Sequence, residues 1–217
     1  MSKLFSLDSP FMRAMSRVAD LMILNLLFLI TSIPLVTIGA GLAALYTVIF
    51  RMGTDQEGGV FKGYFRAFQE NFKQATGMWL ILALIMGSAL FNAALFYTMG
   101  GLLHLIWIIA AALLVLAVFT FSYAFPLMSQ FESPNRQVFK NSLILSLAFL
   151  PRSLIMAALN ALPAALLLTH MEVFLHVGFI WFTLYFATAA YLNSRLLQKV
   201  LKPFYEKGQE NSQEEQE

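Results

Sequence analysis

The sequence predicts an all-α membrane protein, a polytopic bundle of transmembrane helices. Apolar residues make up 59% of its 217 residues and charged residues only 12%, whereas soluble domains carry about 25% charged residues. The mean hydropathy of +0.71 agrees with this composition. The apolar residues fall into long stretches, and the basic residues collect between them. These observations exclude a soluble fold, and the small net charge of +2 argues against a nucleic-acid partner.

Four stretches are long enough to cross a bilayer, since a span needs about 20 apolar residues at a rise of roughly 1.5 Å each. They are Met78–Met99, Leu102–Met128, Leu154–Thr169, which can extend back to Pro151, and Val173–Leu192. The connections at 100–104 and 170–176 contain no Lys or Arg. Because basic residues favour the cytoplasmic side, we expect both connections to lie outside.

The apolar region from Leu21 to Phe50 allows two interpretations. Pro34 near its middle disrupts helical geometry, so the region is either one kinked span or a hairpin of two short spans, Phe11–Ile33 and Leu35–Met52. Basic residues flank it on both sides, which requires an even number of crossings. The hairpin gives six crossings and places all 14 basic residues and both termini in the cytoplasm. A single span gives five and leaves the N-terminal basic residues outside, so we favour six.

Two segments between the spans have amphipathic patterns. One opens at Val60 and carries Phe65, Phe68 and Phe72 at helical spacing, and the other opens at Val138. We expect each to form an interfacial helix that leads into the following spans. Residues 1–205 are predicted to form a single transmembrane domain. The Gln- and Glu-rich residues 206–217 predict a disordered, acidic cytoplasmic tail.

Residue patterns that carry catalysis are missing from the sequence. There is no cysteine, which excludes disulfides and thiolate metal sites. There are no paired carboxylates, no Ser/His/Asp set and no H-E-x-x-H motif. His170, Glu172 and His176 share one predicted outer connection, but their spacing does not suit a helical metal pair, so we interpret them as polar loop residues. The sequence therefore predicts no enzyme, no metal and no cofactor.

Two motifs stand out, and the first has uneven and therefore specific spacing. The first runs from Asn25 through Ile33-Pro34-Leu35-Val36-Thr37-Ile38-Gly39 to Ala44-Leu45-Tyr46. The second comprises Phe65, Phe68 and Asn71-Phe72-Lys73-Gln74, followed by Trp79. Together with the order of apolar stretches, they resemble the YesL-like family of bacterial multi-pass membrane proteins over nearly the whole chain. The resemblance implies a bacterial cytoplasmic membrane protein associated with ABC-type carbohydrate-uptake systems and their sensor partners, and it carries over no catalytic residue.

The first motif also has a physical interpretation. Pro34 sets the turn of the hairpin, Thr37 can cap the helix that follows, and Gly39 permits close helix approach. Asn25 and Tyr46 can hydrogen-bond between the two arms of the hairpin. We therefore expect these five residues to have structural or partner-binding roles.

Three further residues are candidates for partner contact. They are Asn71 and Phe72 in the second motif, and Arg152 behind Pro151. For Arg152 at the cytoplasmic edge we favour a snorkelling anchor, with binding of a partner or a phospholipid as the alternative. The expected function is that of a non-enzymatic accessory or regulatory partner of a carbohydrate uptake or sensing system in the bilayer. The alternative is a small transporter or channel that acts as a dimer, because broken helices often form midplane binding sites. The lack of charged residues at midspan argues against proton coupling.

Overall fold

The computed structural model describes residues 10–52, 59–97 and 103–214, and these form an all-helical bundle without strands. The helices are α1 Pro10–Thr31, α2 Ile38–Arg51, α3 Val60–Phe96, α4 Leu103–Met128, α5 Asn135–Ala148, α6 Leu150–Thr169, α7 Met171–His176, α8 Gly178–Ile180 and α9 Phe186–Glu214. A 3-10 turn, Leu35–Thr37, precedes α2, and a π-helical turn, Trp181–Tyr185, joins α8 to α9.

Within the described residues, four helical segments are long and apolar enough to span a membrane. They are Phe11–Thr31, Val60–Phe96, Leu105–Met128 and Leu150–Thr169, while Leu35–Arg51 is apolar but shorter. The last predicted span is also helical, but the π turn divides it. The structure thus confirms the predicted class, a helical bundle suited to a membrane. The number of crossings stays a prediction.

Helices α1 and α2 form a hairpin that turns at Ser32–Pro34, as the proline predicts. The second arm is enclosed by its neighbours, and Ala43, Ala44 and Leu45 have no exposed surface. Small side chains along this arm let the adjacent helices approach closely. The hairpin is therefore an integral part of the core.

Helix α3 corrects one expectation, because the first amphipathic segment is not a separate helix. The helix runs without a break from Val60 to Phe96 and so joins the amphipathic segment to the span. Its buried face carries Tyr64, Ala67, Ala75, Met78 and Leu82, at helical spacing on both sides of the expected boundary. The one glycine at that boundary, Gly77, does not interrupt the helix, since isolated glycines are tolerated.

The second amphipathic segment does form a helix of its own. Helix α5 ends before Phe149, whose backbone is not helical. It buries Val138, Ser142 and Ser146 against the bundle. Helix α6 then starts at Leu150 with Pro151 in its first turn, a position that tolerates proline because the N–H there needs no helical partner.

The last predicted span begins later and its helix ends later than the sequence suggests. Helix α7 is separate from α8, so the final long helical run starts at Gly178 instead of Val173. Helix α9 continues to Glu214, into the segment predicted as a disordered tail. Glu and Gln have high helix propensity, and here they directly follow a helix.

Two apolar clusters form the core. The larger packs residues of α1–α5 and α9 together, with Leu24, Leu45 and Leu82 fully enclosed. The smaller lies between α4, α6 and α9. Phe50 packs against both clusters. The end of the hairpin therefore links the two parts of the core.

Candidate functional site

Asn25 joins the hairpin to the π turn of the last helical run. Its buried side-chain Nδ2 donates to the carbonyl oxygens of Trp181 at 2.9 Å and Phe182 at 2.8 Å. Its Oδ1 accepts the N–H of Ala187 at 3.1 Å. A π turn shifts the backbone bonding by one residue and disturbs the usual α-helical pairing. The Asn25 amide bonds to groups at this turn, so its partners lie on the last helix and not on the expected second arm of the hairpin.

Side-chain donors bond three backbone carbonyl oxygens at the hairpin turn. Thr37 Oγ1 donates to the carbonyl oxygens of Thr31 and Pro34. Trp79 Nε1 of α3 donates to the carbonyl oxygen of Leu35 at 2.8 Å. Thr37 precedes α2, but its hydroxyl closes the end of α1 instead of capping α2 as expected. The turn is thus held both from within and by α3.

Gly39 marks a very close approach between α2 and α3. A Cβ at this position would overlap the carbonyl oxygen of Ala75 and lie 2.5 Å from Trp79 Cβ. Backbone atoms cannot move aside as a flexible side chain can, so only glycine fits without shifting a helix. Gly39 therefore fixes how the hairpin sits on α3.

A chain of polar side chains connects α2, α9, α6 and α4. Asn193 Nδ2 donates to Tyr46 Oη at 3.2 Å and to Asn160 Oδ1 at 2.9 Å. Asn160 Nδ2 donates to Ser122 Oγ at 3.0 Å. Tyr46 thus bonds to α9, where the sequence suggests a bond to the first arm of the hairpin. The chain ties together helices that are distant in sequence.

Asn160 and Ser122 provide a test of this chain. We expect Asn160→Ala to lower the free energy of unfolding by about 1–2 kcal/mol, because Asn193 then loses one of its two acceptors and Ser122 loses its donor. Ser122→Ala should cost less than about 1 kcal/mol. The loss of unfolding free energy in the double variant should be smaller than the sum of the losses in the two single variants, since the two side chains share one bond. Unfolding in mixtures of mild detergent and dodecyl sulfate measures all three, and strict additivity would contradict the shared bond.

The other sequence candidates lie apart from this chain. Asn71 Nδ2 donates to the Ala67 carbonyl oxygen of its own helix at 2.9 Å, and the side chain lines a polar cavity. Phe72 is 38% exposed. The guanidinium of Arg152 lies 5.5 Å from the ring centre of Phe149, at the junction of α5 and α6. The structure therefore places Asn71 at the wall of the polar cavity and leaves Phe72 and Arg152 elsewhere.

The polar cavity has a volume of about 920 Å³ and opens where α2 and α3 meet the loop before α5. It is lined by Thr47, Arg51, Glu70, Asn71, Gln74 and residues 128–135. Gln74 Nε2 donates to the Ser133 carbonyl oxygen at 2.6 Å, and Asn135 Nδ2 donates to the Gln74 carbonyl oxygen at 3.3 Å. These bonds shape a wall of amides and hydroxyls with charges of both signs, which suits a polar partner.

Two parts of this arrangement were not singled out by the sequence motifs. Nothing in the pattern pairs Gln74 with Asn135, 61 residues away. Tyr64 is also buried, and its hydroxyl lies 2.7 Å from Thr31 Oγ1. A signal for Tyr64 was present, because a tyrosine on the inner face of an amphipathic helix requires a partner for its hydroxyl.

Glu172 and His176 lie in α7, and His170 directly precedes that helix. His176 Nδ1 lies 2.6 Å from the carbonyl oxygen of Glu172, one turn earlier in the same helix. Within the described ranges, no group of three or more His, Asp or Glu side chains is placed to hold a metal ion. The pattern is therefore accounted for by a local contact within one short helix.

Comparison with known proteins adds one finding. Residues 21–93 match the family model DUF624, described as a protein of unknown function. The matched stretch contains Asn25, the hairpin turn, Gly39, Tyr46 and most of α3. Comparison with curated proteins and with solved structures found no match to the chain. Residues 21–93 are thus a DUF624 domain, formed by the hairpin and the long helix that packs on it.

Proposed function

We propose that the protein is a non-enzymatic accessory or regulatory subunit of a carbohydrate uptake or sensing complex in a bacterial cytoplasmic membrane. The observation that carries the proposal is the cross-helix bonding of its interior polar side chains, above all Asn25, Asn160 and Asn193. Side chains bonded in this way hold a bundle together and do not line a water-filled path. The resemblance to the YesL-like family supplies the link to ABC-type transporters and their sensors.

The polar cavity is the surface assigned to the partner. Its walls combine backbone carbonyls, amides and the charged groups of Arg51, Glu70 and Glu132. A polar loop of a transporter or sensor subunit offers the complementary donors and acceptors. In this proposal, Asn71 contacts the partner, because it lines the cavity and bonds only to its own helix among the contacts seen.

Asn71→Ala and Asn92→Ala form a matched pair for the test. Both asparagines lie on α3, and each donates to the carbonyl oxygen four residues earlier, but Asn92 is outside the cavity. The tagged protein is purified from its native host in mild detergent, and co-purifying ABC-transporter and sensor-kinase subunits are quantified by mass spectrometry. We expect wild type and Asn92→Ala to recover them equally and Asn71→Ala to recover at least about fivefold less, the effect of one interface contact of about 1 kcal/mol. Recovery of none of these subunits by wild type under several mild conditions would contradict the proposal.

A transporter or channel that acts as a dimer is the second candidate. The observation that favours it is the pairing of two helix interruptions, the Pro34 turn and the π turn, through Asn25. Interrupted helices expose backbone groups that often bind substrates. Flux of sugar or ions into vesicles containing the protein, lost on Asn25→Ala, supports transport and contradicts a purely accessory role. Flux equal to that of empty vesicles contradicts the transporter.

A further inference from the structure

Three arginines line a groove between α1 and α9. The groove has a volume of about 440 Å³ and contains Arg13 and Arg17 of α1 and Arg195 of α9. Arg13 and Arg17 are one helical turn apart and so share a face of α1. The remaining lining is largely apolar and comes from Ala14, Val18, Leu21 and Met52, with Tyr191 beside Arg195. Guanidinium groups and an apolar wall thus occur in one groove.

Among the described residues, no carboxylate forms an ion pair with the three arginines of the groove. In the part of the chain that the structure describes, the ion pair seen is Arg66 with Glu70, away from the groove. Asp20, the nearest acidic residue along α1, forms no ion pair with these arginines. Arg195 Nη2 donates to Tyr191 Oη at 2.8 Å, which orients the guanidinium. A guanidinium has five N–H donors, so Arg195 keeps donors for a ligand.

We propose that this groove binds the phosphate-bearing headgroup of an anionic phospholipid. Guanidinium groups match phosphate oxygens in geometry and charge, and basic pockets between transmembrane helices bind anionic headgroups. The apolar wall favours a lipid over free phosphate. Val18 in the wall is 43% exposed and Met22, one turn further along α1, is 41% exposed, so both can pack against an acyl chain.

Three probes distinguish the sources of the phosphate group. Purified full-length protein in detergent is titrated with phosphatidylglycerol, phosphatidylcholine and inorganic phosphate, and bound lipid is measured by native mass spectrometry. We expect phosphatidylglycerol to bind at least about tenfold more tightly than phosphatidylcholine, because the groove offers several uncompensated charges. Excess inorganic phosphate should leave phosphatidylglycerol bound. Equal binding of the two lipids overturns the proposal, and displacement by phosphate assigns the groove to free phosphate instead.

Substitutions then locate the binding. Each of Arg13→Gln, Arg17→Gln and Arg195→Gln should weaken phosphatidylglycerol binding by about fivefold. Lys199→Gln, the same change of charge at an exposed position of α9, should change it by less than about twofold. Arg17→Lys keeps the charge and should retain most of the affinity, which separates charge from any effect on folding. Equal effects of Lys199→Gln and Arg195→Gln would show a general charge effect and overturn the site.

The tip of the α1–α2 hairpin exposes apolar side chains and lies in an uncharged stretch of the sequence. Ile33 is 76% exposed and Leu35 is 73% exposed, and the sequence contains no charged residue between Asp20 and Arg51. Trp79 holds the tip through the Leu35 carbonyl, and α3 runs on to its end roughly 26 Å further at 1.5 Å per residue. The tip therefore stops well short of the far end of α3.

The uncharged arms of the hairpin are also short. From Asp20 the first arm continues to Thr31, about 17 Å, and the second arm from Ile38 to Arg51 is about 20 Å. The hydrocarbon layer is roughly 30 Å thick. We infer that the tip ends inside this layer and that the hairpin returns to the side from which it came. Hydrogen bonds to the carbonyl oxygens of Thr31, Pro34 and Leu35 lower the cost of placing the turn in hydrocarbon. The hairpin then does not cross the membrane, so the number of crossings falls from the predicted six to four and remains even.

Leu35→Cys tests the depth of the tip, since the chain has no native cysteine. In sealed vesicles, a membrane-impermeant maleimide should fail to label this cysteine from either side, while Met171→Cys is labelled from one side. Exposure of Leu35 in the fold rules out shielding by the protein itself. After the vesicles are dissolved in dodecyl sulfate, the same maleimide should label this cysteine, which shows that the thiol is present and reactive. Labelling by the impermeant reagent at the rate of Met171→Cys would overturn the inference.

Discussion

Gly39→Ala is expected to destabilise the native bundle by about 1–3 kcal/mol or more, the cost of forcing a side chain into a close-packed contact. The added Cβ meets the backbone carbonyl of Ala75 and the Cβ of Trp79, neither of which can rotate away. Relief would require α2 and α3 to separate along the whole contact. The free energy of unfolding in mixtures of mild detergent and dodecyl sulfate measures the effect.

Gly87→Ala is the matched control on α3. Beyond the neighbouring backbone of its own helix, no atom lies within 4 Å of a Cβ added there, so only the helix propensity of the residue changes. Alanine is favoured over glycine inside a helix by about 1 kcal/mol, so this variant should be as stable as wild type or slightly more stable. Equal effects of the two substitutions would contradict the close approach at Gly39.

Asn25→Ala is expected to lower the free energy of unfolding by about 2–3 kcal/mol. Three hydrogen bonds to the last helical run are lost together, and interhelical bonds in membrane proteins average roughly 0.6 kcal/mol, with a further cost for unpaired backbone groups in the interior. The Ala187 amide should also exchange its hydrogen faster, because Asn25 Oδ1 no longer accepts it. Unfolding titrations and hydrogen exchange measure the two effects.

Asn92→Ala serves as the control for Asn25→Ala. The Asn92 amide bonds only within its own helix among the contacts seen, to the Ser88 carbonyl oxygen at 2.8 Å. Its loss should cost less than about 0.5 kcal/mol, as for surface substitutions in general. If Asn25→Ala cost no more than this, Asn25 would not anchor the π turn.

The DUF624 domain depends on the rest of the chain for its polar bonding. Asn25 bonds to α9 and the turn before it, Tyr46 accepts from Asn193, and Gln74 bonds to Ser133. These partners lie beyond residue 93, where the match ends. The described residues beyond position 93 therefore complete the core and polar contacts of the matched stretch.

The hairpin was predictable from sequence because it rests on local causes. Pro34 interrupts the helix through a local steric and hydrogen-bonding effect that does not depend on tertiary packing. Basic residues on both flanks favour an even number of crossings. The close approach at Gly39 likewise follows from a small residue in an apolar helix. The resemblance to a known family selected the same residues.

The bonding partners were not predictable, because they depend on tertiary packing. Asn25 was expected to bond across the hairpin, but its partners appear only once a π turn forms at Trp181, for which the apolar sequence there offers no signal. The continuity of α3 was also missed, since a change from amphipathic to apolar pattern does not itself end a helix. The wall of the polar cavity joins segments with no common motif.

Cysteine labelling tests the central claim, a helical membrane bundle with its basic connections on one side. Single cysteines are placed at Ser9, Gly101 and Met171 in the cysteine-free chain, and intact cells are treated with a membrane-impermeant maleimide. The account predicts labelling at Gly101 and Met171, and labelling at Ser9 only after permeabilisation. Labelling of Ser9 in intact cells together with the other two would show an odd number of crossings and contradict the account.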